Sequence, residues 1–173
     1  MTSKLKIDTL ETLDGTGTIA LNNQLSGMTS DSMPAGSVVQ VQEIQIEATE
    51  ASTTSTSYVN SGLAFTYSPK HEGSKLRIEV NINVDTGQTD NKIELTILRN
   101  GSNTTTLGSF DGFARVHPVG VGRLLFNQSF SVVDNSASSS HTYAIGFRAS
   151  GGNTVRLRSD IVPAVITLTE IKQ

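Results

Sequence analysis

Three histidines are the side chains in this sequence best suited to metal binding or proton transfer. His71, His117 and His141 are far apart, and none belongs to an HxH, HExxH or HxxxH pattern. The chain contains no cysteine, which removes thiol nucleophiles and thiolate metal sites. We therefore expect solvated loop histidines, no metal site and no cofactor.

Carboxylates offer a second route to catalysis, because glycoside hydrolysis needs two acids held across a cleft, one of them in an apolar pocket. Glu79 and Glu94 alternate with apolar neighbours, so the sequence places both on the polar faces of strands. The other candidates are Asp111, Asp134 and Asp160. No serine lies in a GxSxG elbow. The sequence therefore predicts a protein that is not an enzyme.

The sequence gives little support for binding to phosphate, nucleic acid or membranes. The glycines of Asp14-Gly-Thr-Gly-Thr18 lack the GK[ST] that completes a phosphate loop, so this segment is interpreted as a turn. A net charge of −3 and a pI near 5.5 give no basic footprint for nucleic acid. No stretch approaches the roughly 18 apolar residues of a membrane helix, and the N-terminus lacks the apolar region of a secretory signal.

The elements that position these side chains are predicted to be strands. Between residues 75 and 85, one parity is apolar and the other polar, which is the period of a half-buried strand. The apolar positions are Leu76, Ile78, Val80, Ile82 and Val84. The same period recurs in 93–97, 143–149 and 155–158. Ser and Thr number 21 each, in keeping with sheet surfaces that carry few charges.

Other segments are less regular. The apolar parity changes between Val41 and Ile44, which indicates either a bulge there or a strand that passes from one sheet to another. Asn100-Gly101 predicts a hairpin turn, and four glycines in 108–122 predict a long irregular connection. The run 162–171 mixes both parities, as in a strand buried on both sides. With eight to ten strands and no helix, the sequence predicts an all-β antiparallel sandwich or barrel, most simply a jelly roll.

The chain divides into an extended N-terminal arm, residues 1–37, and a body, residues 38–173. All nine aromatic residues lie between positions 58 and 147, and Pro34 and Gly36 mark a joint before the body. Burying the arm's few large apolar side chains contributes less than ordering its backbone costs. We therefore expect the arm to gain a fixed shape only against other molecules, with copies of this chain as the favoured neighbours. Its candidate attachment and oligomerisation residues are Leu5, Ile7, Leu10, Leu13, Ile19 and Leu21.

Several short segments of the sequence resemble segments of known proteins. Residues 3–23 (SKLKIDTLETLDGTGTIALNN) and 32–40 (SMPAGSVVQ), with the ending ITLTEI at 166–171, resemble virion structural proteins of marine tailed bacteriophages. The body segments SGLAF (61–65), KLRIEV (75–80) and ILRNG (97–101) resemble trimeric jelly-roll modules of the C1q/TNF-like type found in viral fibre and decoration proteins.

This resemblance implies a homotrimeric capsid decoration or head-fibre protein, located in the virion after assembly in the host cytoplasm and anchored by its arm to other virion proteins of the capsid shell or tail. The alternative is a tail-fibre module that recognises a host surface glycan or protein. Its candidate ligand-facing loop contains Phe110, Asp111, Phe113, Arg115 and His117, because sugars need planar hydrogen-bonding groups and an aromatic face. The same loop can also be interpreted as a connection pinned by two buried phenylalanines.

Overall fold

The computed structural model of the protein describes residues 30–47, 50–88, 90–100, 113–120, 122–135 and 139–173. Within them the chain forms a short 3-10 turn, Ser30–Ser32, and ten β-strands. The strands are β1 (Val38–Ile46), β2 (Glu50–Thr53), β3 (Val59–Tyr67), β4 (Lys75–Asp85), β5 (Ile93–Arg99), β6 (Ala114–Val116), β7 (Leu125–Asp134), β8 (His141–Ala149), β9 (Val155–Arg158) and β10 (Ala164–Ile171). No helix of the described residues is long and apolar enough to cross a membrane.

Strand pairing follows one rule from the ends of the body inwards. β1 pairs with β10, β2 with β9, β3 with β8, β4 with β7 and β5 with β6, all antiparallel. The body is therefore one long nested hairpin with its tip between β5 and β6. Further antiparallel pairings, of β10 with β4 and of β5 with β8, roll this ribbon into two sheets. That is the connectivity of a jelly roll, so the predicted all-β sandwich is confirmed.

The two sheets have six and four strands. The larger sheet has the side-by-side order β1, β10, β4 and β7. Beyond the ends of β1 and β10, β2 lies in line with β1 and β9 lies in line with β10. The smaller sheet has the order β3-β8-β5-β6. Apolar side chains from the facing sides of both sheets form a single core. This arrangement leaves one broad face of each sheet outside the core.

The alternation predicted for β4 is confirmed. Leu76, Ile78, Ile82 and Val84 are fully buried and Val80 nearly so, while the opposite parity from Lys75 to Asn83 remains partly or largely exposed. In β8 and β9 the predicted apolar parity is also buried. β4 helps to position the site, because the residues between its buried positions point outwards.

Three local predictions need correction. The bulge in β1 lies between Val38 and Gln40, and from Gln40 to Ile46 the register with β10 is regular, so Val41 is simply exposed. β10 is buried on one face only, because nothing described covers its other face completely. The described part of the segment 108–122 contains the short strand β6. The hairpin turn predicted at Asn100-Gly101 lies partly outside the described residues, and Asn100 adopts a left-handed φ of 62°.

The sandwich has two distinct ends. Residues 30–37, 68–74 and 172–173 lie at one end, called here the arm end, where β4 begins and β10 finishes. There the Gly36 N–H donates to the Lys172 carbonyl (2.8 Å), and the Lys172 N–H donates to Ser37 (2.9 Å). The described parts of the loops 86–92, 117–124 and 150–154 lie at the opposite, distal end. The predicted joint is thus fastened to the C-terminal strand.

Candidate functional site

The candidate site is the solvent-facing side of β1, β10, β4 and β7, called here the outer sheet face. One row of directly paired residues crosses all four strands, namely Val41, Thr169, Arg77 and Val133. Val41 is 62% exposed and Val133 is 48% exposed. Both valines leave apolar surface exposed on the same regular sheet face.

A shallow groove lies next to this row. It is open to solvent, has a volume of about 460 Å³, and follows β7, β4 and β10. Two of its lining residues, Val80 and Phe130, belong to the core side, and most of the others have short side chains. The lining consists of Glu79, Val80, Asn81, Ser129, Phe130, Ser131, Val165 and Thr167. Short Ser, Thr and Val side chains keep the sheet backbone close to the surface, so a second flat surface can approach it.

Charges on the middle of the outer sheet face are balanced. Lys75 and Arg77 are the bases and Glu43 and Glu79 are the acids. Arg77 donates from Nη2 to Glu79 Oε1 at 2.8 Å, with both side chains partly exposed. Because neither sign is in excess, two copies of this face brought together do not repel each other through net charge.

A charge cluster occupies the distal end of the same face. Asp85 is fully buried, and Arg123 donates hydrogen bonds to its carboxylate with donor–acceptor distances of 2.9, 3.0 and 2.5 Å. Arg156 and Arg158 lie 3.6 and 3.7 Å from it and also contact Glu50. Burial alone raises the pKa of Asp85, but the hydrogen bonds from Arg123 and from the Gly87 N–H outweigh this and lower it. The cluster fastens the loop before β7 to β4.

Glu94 corrects a prediction from the sequence. It points away from the core, as expected, yet it is fully buried. Its cross-strand neighbours are Arg148 on β8 and Arg115 on β6, and both guanidinium groups hydrogen-bond to its carboxylate. Burial raises the pKa of Glu94, but the hydrogen bonds from Arg148 and Arg115 and their charges lower it below its usual value. Arg148 also stacks over the ring of Tyr58, with 4.7 Å between the guanidinium carbon and the ring centroid.

Two further buried acids lie between the sheets at the arm end. Glu170 accepts a hydrogen bond from Tyr67 (2.5 Å) and from the backbone N–H groups of Lys70 and His71. Asp134 accepts from Tyr143 (2.8 Å) and pairs with Arg99. Burial, reinforced by the neighbouring carboxylate, raises the pKa of both tyrosines, so both stay protonated as donors. These contacts satisfy both buried carboxylates, so the two acids have a structural role.

The loop predicted to face a ligand lies only partly within the described residues. Phe110 and Asp111 lie outside the described residues, as do the arm residues Leu5, Ile7, Leu10, Leu13, Ile19 and Leu21. Phe113 is half-buried and stacks on Phe130, with 6.4 Å between ring centroids. Arg115 lies on β6 against Glu94 and is 45% exposed, and His117 is exposed beyond the end of β6.

The histidines are not brought together in the described structure. His71 contacts Asp31 (2.8 Å) at the arm end, and His141 contacts Asn100 (3.1 Å). Across the described residues, no three His, Cys, Asp or Glu side chains are arranged to hold a metal ion.

Sequence reasoning missed the buried acids, although one signal was present. Glu170 shares its parity with Ile166 and Leu168, which places it on the core face of β10. Asp85 and Asp134 end apolar strands, but their arginine partners come from distant segments of the chain. Those partners are visible only once the strands are aligned.

No family model matches the chain, and no curated protein matches its sequence. Among solved structures, the crystal structure of the infectious bursal disease virus VP2 subviral particle matches with a TM-score of 0.32 and 16% sequence identity. The match covers 78% of this chain and 38% of that one, so this chain spans less than half of its neighbour's length. That neighbour is a component of a viral particle.

Proposed function

We propose that this protein is a non-enzymatic structural component of a virion, a homotrimeric capsid decoration or head-fibre protein. The body self-associates through the outer sheet face, and residues 1–37 anchor it to the particle. The observation that carries the proposal is the exposed row of Val41, Thr169, Arg77 and Val133 beside the shallow groove. A face of this kind can pack against neighbouring copies around a three-fold axis, because it is flat, partly apolar and neutral in net charge.

The buried acids support a structural role. Asp85, Glu94, Asp134 and Glu170 each have charged or hydrogen-bonding partners from the protein itself. Such pairs hold loops and strands together, and an acid engaged by several donors is a poor proton donor or nucleophile at neutral pH. The sandwich is thus a rigid body on which an interface can be presented.

The test is the mass of the full chain in solution, measured by light scattering after size-exclusion chromatography. We expect a trimer, and we expect Thr167→Lys, in the groove, to reduce it to monomer because the new charge is buried at the contact. The matched control is Ala64→Lys, on the exposed side of β3 in the other sheet, which should remain trimeric. A monomeric wild-type chain, or equal loss of trimer in both variants, contradicts the proposal.

The alternative function is recognition of a host surface glycan or protein by a tail fibre. It is supported by the partly exposed guanidinium of Arg115 and the exposed His117 near the distal end. Saturable binding of the full chain to a glycan array, lost in Arg115→Ala, would favour this function over a purely structural one.

A further inference from the structure

Sheet edges in this sandwich are protected unequally. β1 has a bulge between Val38 and Gln40, β3 has a register break between Asn60 and Ala64, and β6 has only three residues. Bulges and short length are ways in which proteins prevent strand addition at an edge. β7 has neither, because its ten residues pair with β4 without a register shift. In the described part of the chain β4 is its only partner, so no described strand occupies its other edge, called here the open edge.

From Leu125 to Val133, β7 carries no charged residue and no proline. No charged residue occurs between Arg123 and Asp134. Phe126 and Phe130 point towards the core but stay only half-buried, because no described strand lies beyond β7 to cover them. The edge therefore offers backbone donors and acceptors together with an incomplete apolar layer, which are the two requirements for adding a strand.

One segment of this chain outside the described residues matches the edge. No charged residue occurs between Asp14 and Asp31. Within that stretch Ile19 and Leu21 share one parity, while Thr18, Ala20 and Asn22 share the other. As an extended strand, it would direct two apolar side chains inwards beside Phe126 and Phe130 and small polar ones outwards.

We propose that residues 15–23 of a second copy of this chain add a strand to the open edge of β7. The proposal deepens the proposed function and rests on its homo-oligomer. The joint before β1 is fastened at the arm end, by Gly36 to Lys172 after β10 and by Asp31 to His71 before β4, whereas β7 is the edge of the sheet opposite β1.

A second copy is the partner that a closed ring requires. In a cyclic oligomer two different sides of each copy meet, so the β1 side of one copy approaches the β7 side of the next. An arm paired with its own β7 would join no copies, and a disulfide within single chains would reveal that pairing. Each arm would then join its copy to the following one, and the ring would close.

The absence of cysteine in the chain permits a clean cross-linking experiment. Full-length Ala20→Cys carrying an affinity tag is mixed under gentle oxidation with untagged full-length Ser129→Cys, whose new thiol lies on the exposed parity of β7. A disulfide needs Cβ atoms within about 4.5 Å of each other, so the mixed product reports contact between copies. The control partner is Ala64→Cys, exposed on the edge strand β3 of the other sheet.

We expect the mixed disulfide with Ser129→Cys to exceed that with Ala64→Cys by about tenfold. Equal yields, or no mixed product with Ser129→Cys, would overturn the proposal. So would a disulfide within single chains when Ala20→Cys and Ser129→Cys are combined in one molecule. The oligomer mass is measured on the same samples. An intact oligomer without selective cross-linking overturns strand addition alone, whereas a monomer overturns the homo-oligomer as well.

Discussion

Buried acidic side chains are the residues whose roles the fold changes most. Glu94 lies in a strand whose sequence places it on the outside, yet it is fully buried and bound by two arginines from neighbouring strands. Breaking such a pair leaves unpaired charge in a poorly hydrated site, which costs far more than breaking an exposed pair. Glu94 and its arginines therefore join three strands of the smaller sheet.

Acid should weaken the protein through these carboxylates. The pKa of Glu94 is lowered in the fold from its ordinary value of 4.5, so the unfolded chain binds the proton more readily. The stabilisation is complete above about pH 4.5 and is lost as the pH falls through the lower folded value. Urea unfolding between pH 7 and pH 3 should therefore show a free energy of unfolding that declines below about pH 4.5.

Substitution of Glu94 measures how much this residue contributes to the decline in the free energy of unfolding with acid. We expect Glu94→Gln to lose about 3 kcal/mol at pH 7 and to show a shallower decline with acid. The control, Glu72→Gln in an exposed loop, should stay within about 0.5 kcal/mol of the wild type. A Glu94→Gln profile parallel to the wild type would show that this acid does not contribute to the acid sensitivity.

Strands were predictable where one face is buried, and turns were less so. The alternation in β4 identifies both its type and its inner face, because burial on one side imposes a period of two. β6 was missed because three residues are too few to show a period. The bulge in β1 was misplaced because Val41 is an exposed apolar residue, and the sequence does not distinguish such a valine from a buried one.

Gly87 illustrates a constraint that acts between elements. It has a φ of +72°, and a Cβ built there would lie 2.1 Å from the Thr154 carbonyl oxygen. Gly73 has a similar φ of +76° but open space around it. We expect Gly73→Ala to lower the free energy of unfolding by about 1–2 kcal/mol through left-handed strain alone. Gly87→Ala should cost a further ~1–3 kcal/mol because the loops must separate. Equal losses in thermal or urea unfolding would contradict this difference.

Nested pairing of strands determines how the whole molecule is arranged. The first strand of the body pairs with the last, so the joint and the C-terminus meet at the arm end. The distal loops consequently project from the opposite end of the sandwich. In the proposed virion protein this polarity directs the arm towards the particle and the distal loops away from it.

Removal of the arm tests whether the arm attaches the protein to the particle while the body folds without it. Deleting residues 1–36 should leave a body that unfolds cooperatively, since both sheets and their core lie in 38–173. The truncated body should no longer join the virion, as judged by its recovery with purified particles. A full-length control in which Leu10 and Leu13 are replaced by serine keeps the length but weakens the apolar attachment. Normal incorporation of the truncated body would show that the arm is not the anchor.

The sequence alone determined the class of fold, because alternating burial is a local property written into each strand. It also separated an aromatic-free N-terminal arm, residues 1–37, from the aromatic-containing body. Tertiary structure decided which strands are neighbours, and with it the partners of Asp85 and Glu94 and the open edge of β7. Those features depend on contacts between residues distant in the chain, and periodicity within a strand carries no information about which strand lies beside it.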